Sequence, residues 1–180
     1  EVQRFTQQLS PKARIAFHEH DEYDVPVEMT EPLCDVVPFM PACHTFDQLF
    51  SELQDRIPRA LVENTRHCHY AKLTPVQKFA IPVCLSGRDV MCCEETGAGK
   101  TAAFLIPTIG RMMLEHKSPA GALAEPLEGP CRPHALVLTP TRELCIQVFQ
   151  EAQKLCHRTR YRVVQIHRGN HHSKQLEHIA

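Results

Sequence analysis

Residues 96–101 are the part of the sequence whose types and spacing point most directly to chemistry. They read T-G-A-G-K-T, so two glycines precede a lysine and a threonine. Glycine leaves the backbone free to turn its N–H groups toward phosphate oxygens. Lys100 can then reach the β- and γ-phosphates of a nucleotide, and Thr101 can offer its hydroxyl to Mg²⁺. The string predicts a phosphate-binding loop with Lys100 and Thr101 as catalytic residues and Thr101 as the link to the metal.

The loop departs from the strict phosphate-loop pattern at one position. The pattern G-x-x-x-x-G-K-[ST] requires a glycine at position 94, where this chain has Glu94. Glu94 and its neighbour Glu95 bring two carboxylates beside a site for an anionic ligand. These side chains either face solvent or weaken nucleotide binding by electrostatic repulsion.

The residues around the loop are predicted to form alternating strands and helices. Short apolar runs predict three strands, which cover residues 89–93, 134–139 and 163–166. Apolar positions at helical spacing predict long helices at 100–114 and 141–157, and short ones at 46–53, 58–67 and 74–80. This order is typical of an α/β fold in which helices flank a parallel sheet. The phosphate loop then lies between a strand and a helix, as phosphate binding requires.

The sequence also predicts where these elements begin and end. Residues 1–44 are rich in proline and show no sustained period, so they are interpreted as an N-terminal extension before a domain at 45–180. Thr74 and Pro75 are a typical helix start, as cap and first helical residue. Pro82 is expected to disturb the end of that helix, and Gly87 to close a second short turn. Residues 115–133 are expected to form an exposed loop.

Composition limits the classes of protein to consider. A net charge of −1 gives no global field that would attract nucleic acid or a membrane, and no apolar run reaches the length of a bilayer span. The nine cysteines contain no Cys-x-x-Cys pair, and Cys92, Cys93 and Cys145 lie in apolar stretches that predict a buried position. Reduced thiols predict an intracellular protein of the cytoplasm or nucleus, with an organelle left open. His67–Cys68–His69 has no second pair at zinc-finger spacing, so no structural zinc is expected.

Three ordered motifs resemble those of the DEAD-box ATP-dependent RNA helicases. They are the T-G-x-G-K-T string, the P-T-R-E-L string at 140–144, and the Y-A-K-L-T-P-V-Q string at 70–77, which is similar to that family's adenine-reading Q motif. Further similar stretches lie at 77–82, 87–91 and 101–105, and residues 23–28 resemble the segment that precedes the core in the Vasa-like branch. The resemblance covers residues 23–180. It implies a P-loop RecA-like parallel sheet flanked by helices, with this chain as the N-terminal part of an incomplete first helicase domain.

The resemblance also implies an ATP site. The amide of Gln77 can pair with the N6 and N7 edge of adenine, and Tyr70 offers an aromatic face for stacking. Phe46 matches the isolated upstream aromatic of the Q motif, with Phe50 as a rival because the spacing to Tyr70 is long. The other residues implied for ATP binding come from the two motifs; they are Lys72, Thr74, Glu95, Thr96, Gly97, Ala98, Gly99, Lys100 and Thr101.

The RNA contact implied by the resemblance begins at the P-T-R-E-L string. Pro140, Thr141 and Arg142 lie where a helix N-terminus suits a phosphate, although Arg142 could instead hold Glu143 in place. The family next carries a Gly-Gly pair, and this chain has Arg168–Gly169 there. Arg168 blocks some backbone conformations that glycine allows, and it also adds a cation that could meet a phosphate directly.

The function implied is that of an ATP-dependent RNA helicase that uses ATP and Mg²⁺, with RNA and ribonucleoprotein components as partners. The family's D-E-A-D motif is expected several tens of residues after Gly169, whereas the one Asp-Glu pair in the sequence is Asp21–Glu22. We therefore expect these 180 residues to bind ATP, and hydrolysis to belong to a full-length protein. The alternative is a non-catalytic scaffold that binds RNA or ribonucleoprotein. A third class, a P-loop ATPase such as a DNA helicase, is disfavoured by Gln77.

Overall fold

The structure is a computed structural model, and it describes residues 43–115 and 133–169. Nearly all of the predicted N-terminal extension, the interior of the predicted loop at 115–133 and the resembling segment at 23–28 lie outside these residues. Within them the chain forms five α-helices. They are α1 (Phe46–Glu52), α2 (Arg59–His67), α3 (Pro75–Leu85), α4 (Lys100–Glu115) and α5 (Arg142–Leu155), and a single 3₁₀ turn (Gln54–Arg56) follows α1.

Local capping explains where two of these helices start. The Thr45 hydroxyl accepts a hydrogen bond from the Gln48 backbone N–H at 3.2 Å, and the Gln48 side chain accepts one from the Thr45 N–H at 3.1 Å. At the start of α5, the Thr141 hydroxyl accepts a hydrogen bond from the Leu144 N–H, also at 3.2 Å. Such caps satisfy backbone donors that have no partner inside the helix.

Helix α3 is longer than its sequence predicts. It continues through Pro82 to Leu85, so the expected end near residue 80 is wrong, whereas Gly87 closes a turn as expected, with its N–H donating to the Cys84 carbonyl at 3.0 Å. Pro82 removes only one backbone donor, and the helix is held by packing, because Ile81 is fully buried and α3 packs along α4. Gly87, with a φ of 86°, takes the chain out of the helix in a left-handed conformation.

One apolar core joins the five helices. It contains residues from each of them, with Leu49, Leu61, Ile81, Ile106 and Leu155 completely buried. Burial of a leucine or isoleucine side chain stabilises a fold by about 1.5–3 kcal/mol relative to exposure. Helix α4, which begins at the phosphate loop, packs against both α3 and α5.

The three segments predicted as strands do not form a ladder in the described part of the chain. The one strand-like pairing there is an isolated antiparallel bridge between Thr45 and Lys72. Apolar side chains predicted to be buried are exposed, with Met91 80%, Leu136 79% and Leu138 84% accessible. A helix completes its hydrogen bonds within its own segment, whereas a strand needs a neighbouring strand for them.

The expected burial of three cysteines is also wrong. Cys92 and Cys93 are exposed and Cys145 is half-buried, because the first two lie on one of the unpaired segments. No helix within 43–115 and 133–169 is both long and apolar enough to cross a bilayer.

Candidate functional site

The predicted phosphate loop turns sharply into the first residue of α4. Gly97 and Gly99 have φ values of 91° and 82°, a region that residues with a Cβ rarely adopt. A Cβ added at Gly97 would meet no atom within 4 Å, whereas one at Gly99 would lie 2.4 Å from Nε2 of Gln77. Gly97 is therefore required only for its left-handed backbone conformation. Gly99 is required both for that conformation and for the close approach of the Gln77 side chain.

Lys100 holds the start of this loop against the helix. Its Nζ donates hydrogen bonds to the backbone carbonyls of Glu94, at 2.6 Å, and Glu95, at 2.5 Å. An ammonium group has three N–H donors, so one is left for a ligand. Glu94 and Glu95 contribute backbone oxygens here; the Glu95 residue is exposed and Glu94 is half-buried.

Gln77 joins the predicted adenine-reading segment to the phosphate loop. It is only 5% exposed, and its side-chain oxygen accepts a hydrogen bond from the Thr74 N–H at 3.0 Å. Its Nε2 donates to the Gly99 carbonyl at 3.1 Å. A primary amide has two N–H donors and two acceptor lone pairs, so one of each remains. The structure thus brings together three residues predicted for the ATP site, from two different motifs.

The Thr74 hydroxyl is the polar group at this junction that lacks a partner. Its oxygen is buried and faces the Gln77 backbone N–H in a capping-box arrangement, but it makes no hydrogen bond of normal geometry to a described residue. It lies 3.1 Å from the position that a Cβ on Gly99 would take. Buried hydroxyls are normally hydrogen-bonded, so an unpartnered one beside a glycine loop suits a site that receives a polar ligand.

The two aromatic residues predicted for adenine contact each other. The rings of Phe46 and Tyr70 stack with centroids 5.6 Å apart and planes 27° apart, and Phe46 also contacts Phe50 at 5.7 Å. Phe46 is 2% exposed and belongs to the core, while Tyr70 is half-buried. One face of the Tyr70 ring is therefore covered by Phe46.

Tyr70 also makes a polar contact that the sequence did not predict. Its hydroxyl donates a hydrogen bond to Oε2 of Glu151 on α5 at 2.8 Å, and Lys154 donates to Oε1 of the same carboxylate at 2.6 Å. Burial raises the pKa of Tyr70, and the hydrogen bond to Glu151 raises it further. Burial acts to raise the pKa of Glu151, but the hydrogen bonds from Lys154 and Tyr70 outweigh it, so that pKa is lowered. No local signal in the sequence links two residues 81 positions apart.

The residues predicted to contact RNA lie around the first turn of α5. Pro140, Thr141 and Arg142 are exposed, and Thr141 is the helix cap. Gly169 has a φ of 103°, and a Cβ there would lie 3.1 Å from Nη1 of Arg142. The structure therefore brings Arg142 and Gly169 together, although they are distant in the sequence.

Arg168 is tolerated in the position where the resembling family carries a first glycine. The described non-glycine residues with positive φ are His69 and Arg158, so the left-handed conformation in this turn falls on Gly169. Arg168 keeps ordinary backbone geometry and an exposed position. Arg168 itself is therefore not in the left-handed conformation that a side chain opposes.

The remaining residues predicted for the ATP site lie at the surface of the same region. Lys72, Glu95 and Thr96 are exposed, while Ala98 and Thr101 are half-buried. Across 43–115 and 133–169, no group of three or more His, Cys, Asp or Glu side chains could hold a metal ion by itself.

Comparison with known proteins identifies the family. The model of the DEAD/DEAH box helicase family matches residues 74–180. The chain is 40% identical over 141 residues to the probable ATP-dependent RNA helicase ddx3 of Dictyostelium discoideum, which covers 78% of this chain and 18% of that protein. It is 41% identical over 120 residues to the probable ATP-dependent RNA helicase vasa-like of Penaeus vannamei, covering 67% of this chain and 16% of that protein.

A solved structure supports the same assignment of fold. The RNA helicase Prp28 from Chaetomium thermophilum, bound to ADP, matches with a TM-score of 0.57 and 35% sequence identity, over 68% of this chain and 28% of that one. The chain thus spans less than a fifth of the two curated relatives and under a third of this structure. The predicted fold class, a P-loop RecA-like α/β domain, is confirmed by this neighbour. Because the family model matches more than half of its residues, the chain belongs to the DEAD/DEAH-box helicases.

Proposed function

We propose that this chain is the part of an ATP-dependent RNA helicase that binds ATP and makes the first contacts with the RNA backbone. The observation that carries the proposal is Gln77, whose buried amide bonds both the Thr74 backbone N–H and the Gly99 carbonyl. This contact joins Gln77, which we propose reads adenine, to the predicted phosphate loop. Two motifs that are separate in sequence thereby form one site.

ATP phosphates are assigned to the loop and to the N-terminus of α4. Gly97 and Gly99 hold the backbone in the conformation that lets N–H groups face phosphate oxygens, and the remaining N–H of Lys100 reaches the β- and γ-phosphates. Thr101 holds Mg²⁺ together with the nucleotide. The unpartnered Thr74 hydroxyl beside Gly99 fits this ligand.

The adenine base is assigned to Gln77 and Tyr70. Gln77 retains one N–H and one lone pair, which is the pair of groups that the N6 and N7 edge of adenine requires. Tyr70 offers the ring face that Phe46 does not cover, and Phe46 acts through Tyr70, since Phe46 itself is 2% exposed. Guanine carries a carbonyl oxygen in place of the N6 amino group, so ATP is preferred over GTP.

RNA phosphates are assigned to the exposed first turn of α5 and the neighbouring turn. Pro140 and Thr141 present the helix N-terminus, and Arg142 and Arg168 supply charge, with Gly169 allowing the two segments to approach. Contacts of this kind read the RNA backbone, and little sequence preference follows.

The whole protein is proposed to hydrolyse ATP and to use it to separate short RNA duplexes or remodel RNA–protein complexes inside the cell. ATP, bound with Mg²⁺, carries the phosphoanhydride bond that is cleaved. These 180 residues bind ATP and RNA and orient them.

The test measures ATP hydrolysis by the full natural chain with and without single-stranded RNA. We expect RNA to stimulate hydrolysis and Lys100→Ala to abolish it. Arg59→Ala is the matched control, because Arg59 is a cation whose side chain is 92% exposed on α2. Hydrolysis that ignores RNA and survives Lys100→Ala contradicts the proposal. RNA binding without any hydrolysis in the wild type favours the non-catalytic scaffold instead.

A further inference from the structure

We propose that Tyr70, Glu151 and Lys154 form a bridge, here called the Tyr70–Glu151 bridge, through which the adenine site and the RNA-binding helix are energetically coupled. The inference rests on the proposed function and adds a positioning role that ligand contacts alone do not give. Tyr70 lies four residues before the Thr74 cap, and Glu151 lies on the helix whose first turn is assigned to RNA phosphates.

The Tyr70 end of the bridge is attached to the adenine-reading segment and its neighbours. Its ring stacks on Phe46, and its backbone N–H donates to the Thr65 carbonyl at 3.3 Å. The next residues are pinned as well, because the Phe46 N–H donates to the Ala71 carbonyl at 3.0 Å. The Tyr70 hydroxyl therefore moves with the adenine-reading segment.

The Glu151 end is held by a different element. Glu151 lies about 13 Å along α5 from Arg142, given a rise of about 1.5 Å per residue. Each of its carboxylate oxygens has one partner, Tyr70 on one side and Lys154 on the other. The Glu151 side chain is 29% exposed, so the hydrogen bond is partly shielded from water. Hydrogen bonds to a charged acceptor are stronger than neutral ones.

The bridge is well placed to transmit a displacement. Among the described residues it is the one side-chain hydrogen bond between segment 70–77 and α5. A helix moves largely as a unit, so a shift of Tyr70 when adenine binds shifts the first turn of α5 as well. Coupling of this kind is reciprocal: ATP changes the affinity for RNA by the same factor by which RNA changes the affinity for ATP.

Two conservative variants separate coupling from simple folding. Tyr70→Phe keeps the ring that stacks on Phe46 and removes only the donor. Glu151→Gln keeps an acceptor and the shape of the side chain and removes the charge. Glu63→Gln is the matched control, since Glu63 is a glutamate on α2 that pairs with exposed Arg59 and does not touch the bridge.

The experiment measures the dissociation constant of single-stranded RNA for the full natural chain, with and without a non-hydrolysable ATP analogue. The ratio of the two constants is the coupling factor. We expect Tyr70→Phe and Glu151→Gln each to reduce that factor about fivefold or more, in the range typical of coupling between sites. The affinity for RNA alone should stay within about twofold of wild type, and the double variant should lose no more coupling than either single one.

The outcomes distinguish this inference from the function on which it rests. An unchanged coupling factor in Tyr70→Phe and Glu151→Gln, with or without a lower melting temperature, overturns the bridge. A wild-type protein that binds ATP and RNA independently also overturns the bridge and leaves the proposed binding sites standing. A wild-type protein that binds neither ligand contradicts the proposed function itself.

Discussion

The regions proposed to bind the nucleotide and the RNA, called below the nucleotide side and the RNA side, are built differently. At the proposed nucleotide side, Gln77 donates a hydrogen bond to the Gly99 carbonyl at 3.1 Å, and Lys100 donates one to the Glu94 carbonyl at 2.6 Å, both partly out of solvent. At the RNA side, Thr141, Arg142 and Arg168 are exposed, and the close contact there is Arg142 against Gly169.

This difference follows from what each ligand requires. A single nucleotide is recognised by a shaped pocket, so small steric changes are costly there. A nucleic-acid backbone is a line of charges, and exposed cations attract it without tight packing. The nucleotide side should therefore respond to changes in shape, and the RNA side to changes in charge and salt concentration.

The largest effect is expected from a methyl group at Gly99. Gly99→Ala places a Cβ 2.4 Å from Gln77 Nε2 and keeps a φ of 82°, so both sterics and conformation oppose it. Gly97→Ala is the matched control, because the same left-handed conformation, which costs roughly 1–2 kcal/mol, is its sole penalty. We expect Gly99→Ala to weaken ATP binding by about tenfold more than Gly97→Ala. Calorimetric titration with ATP measures both, and equal losses contradict the close approach.

The second-largest effect is expected on stability, at the C-terminal end of α5. Asn64 is 6% exposed, and its Nδ2 donates to the carbonyls of Leu155 and His157 at 2.8 and 2.7 Å. Asn64→Ala leaves these two acceptors without their partner, at a cost of about 1–3 kcal/mol in the free energy of unfolding. Urea titration measures that loss. If α5 is held mainly at its first turn, the free energy of unfolding of Asn64→Ala will equal that of wild type.

The charges of Arg142 and Arg168 are expected to make the affinity for RNA depend on salt concentration. Arg142→Ala and Arg168→Ala should each weaken RNA binding, and each should reduce the slope of log affinity against log salt by about 0.7 for every phosphate that the arginine no longer neutralises. ATP binding should be unaffected. RNA binding measured by fluorescence anisotropy at several salt concentrations tests this, with Arg59→Ala as control. A weaker affinity with an unchanged salt slope points to a structural role for the arginine.

The smallest expected effect is a pH dependence of stability at Glu151. Its pKa in the folded chain is lowered, so its contribution is fully present above the unfolded value near ~4.3 and is lost as pH falls through the folded pKa. The melting temperature of wild type should exceed that of Glu151→Gln at about pH 6. The gap should narrow at about pH 3.5. A difference in melting temperature that does not change with pH rules out a stabilising role of the Glu151 charge.

Features decided within a few residues were predictable from the sequence. The start of α3 at Thr74–Pro75 and the helices beginning at Phe46 and Lys100 follow from local helix-start residues and apolar spacing. The exception is α3, where packing on α4 carried the helix through Pro82.

Features that join distant residues were not predictable. Nothing near Tyr70 in the sequence identifies Glu151 as its partner, and nothing near Asn64 identifies the carbonyls at the end of α5. The segments predicted as strands form no ladder within 43–115 and 133–169 for a related reason, since a ladder depends on which segments become neighbours. The predicted ATP residues came close to one another because their two motifs meet at Gln77 and Gly99.

The central claim is that Gln77 and the phosphate loop form one adenine-nucleotide site, and competition between ATP and GTP tests it most directly. The full natural chain is titrated with each nucleotide in the presence of Mg²⁺, as wild type and as Gln77→Ala. We predict that wild type prefers ATP by at least about tenfold, that Gln77→Ala removes the preference, and that Lys100→Ala removes binding of both. Equal affinity of wild type for ATP and GTP, or an unchanged preference in Gln77→Ala, would contradict the account.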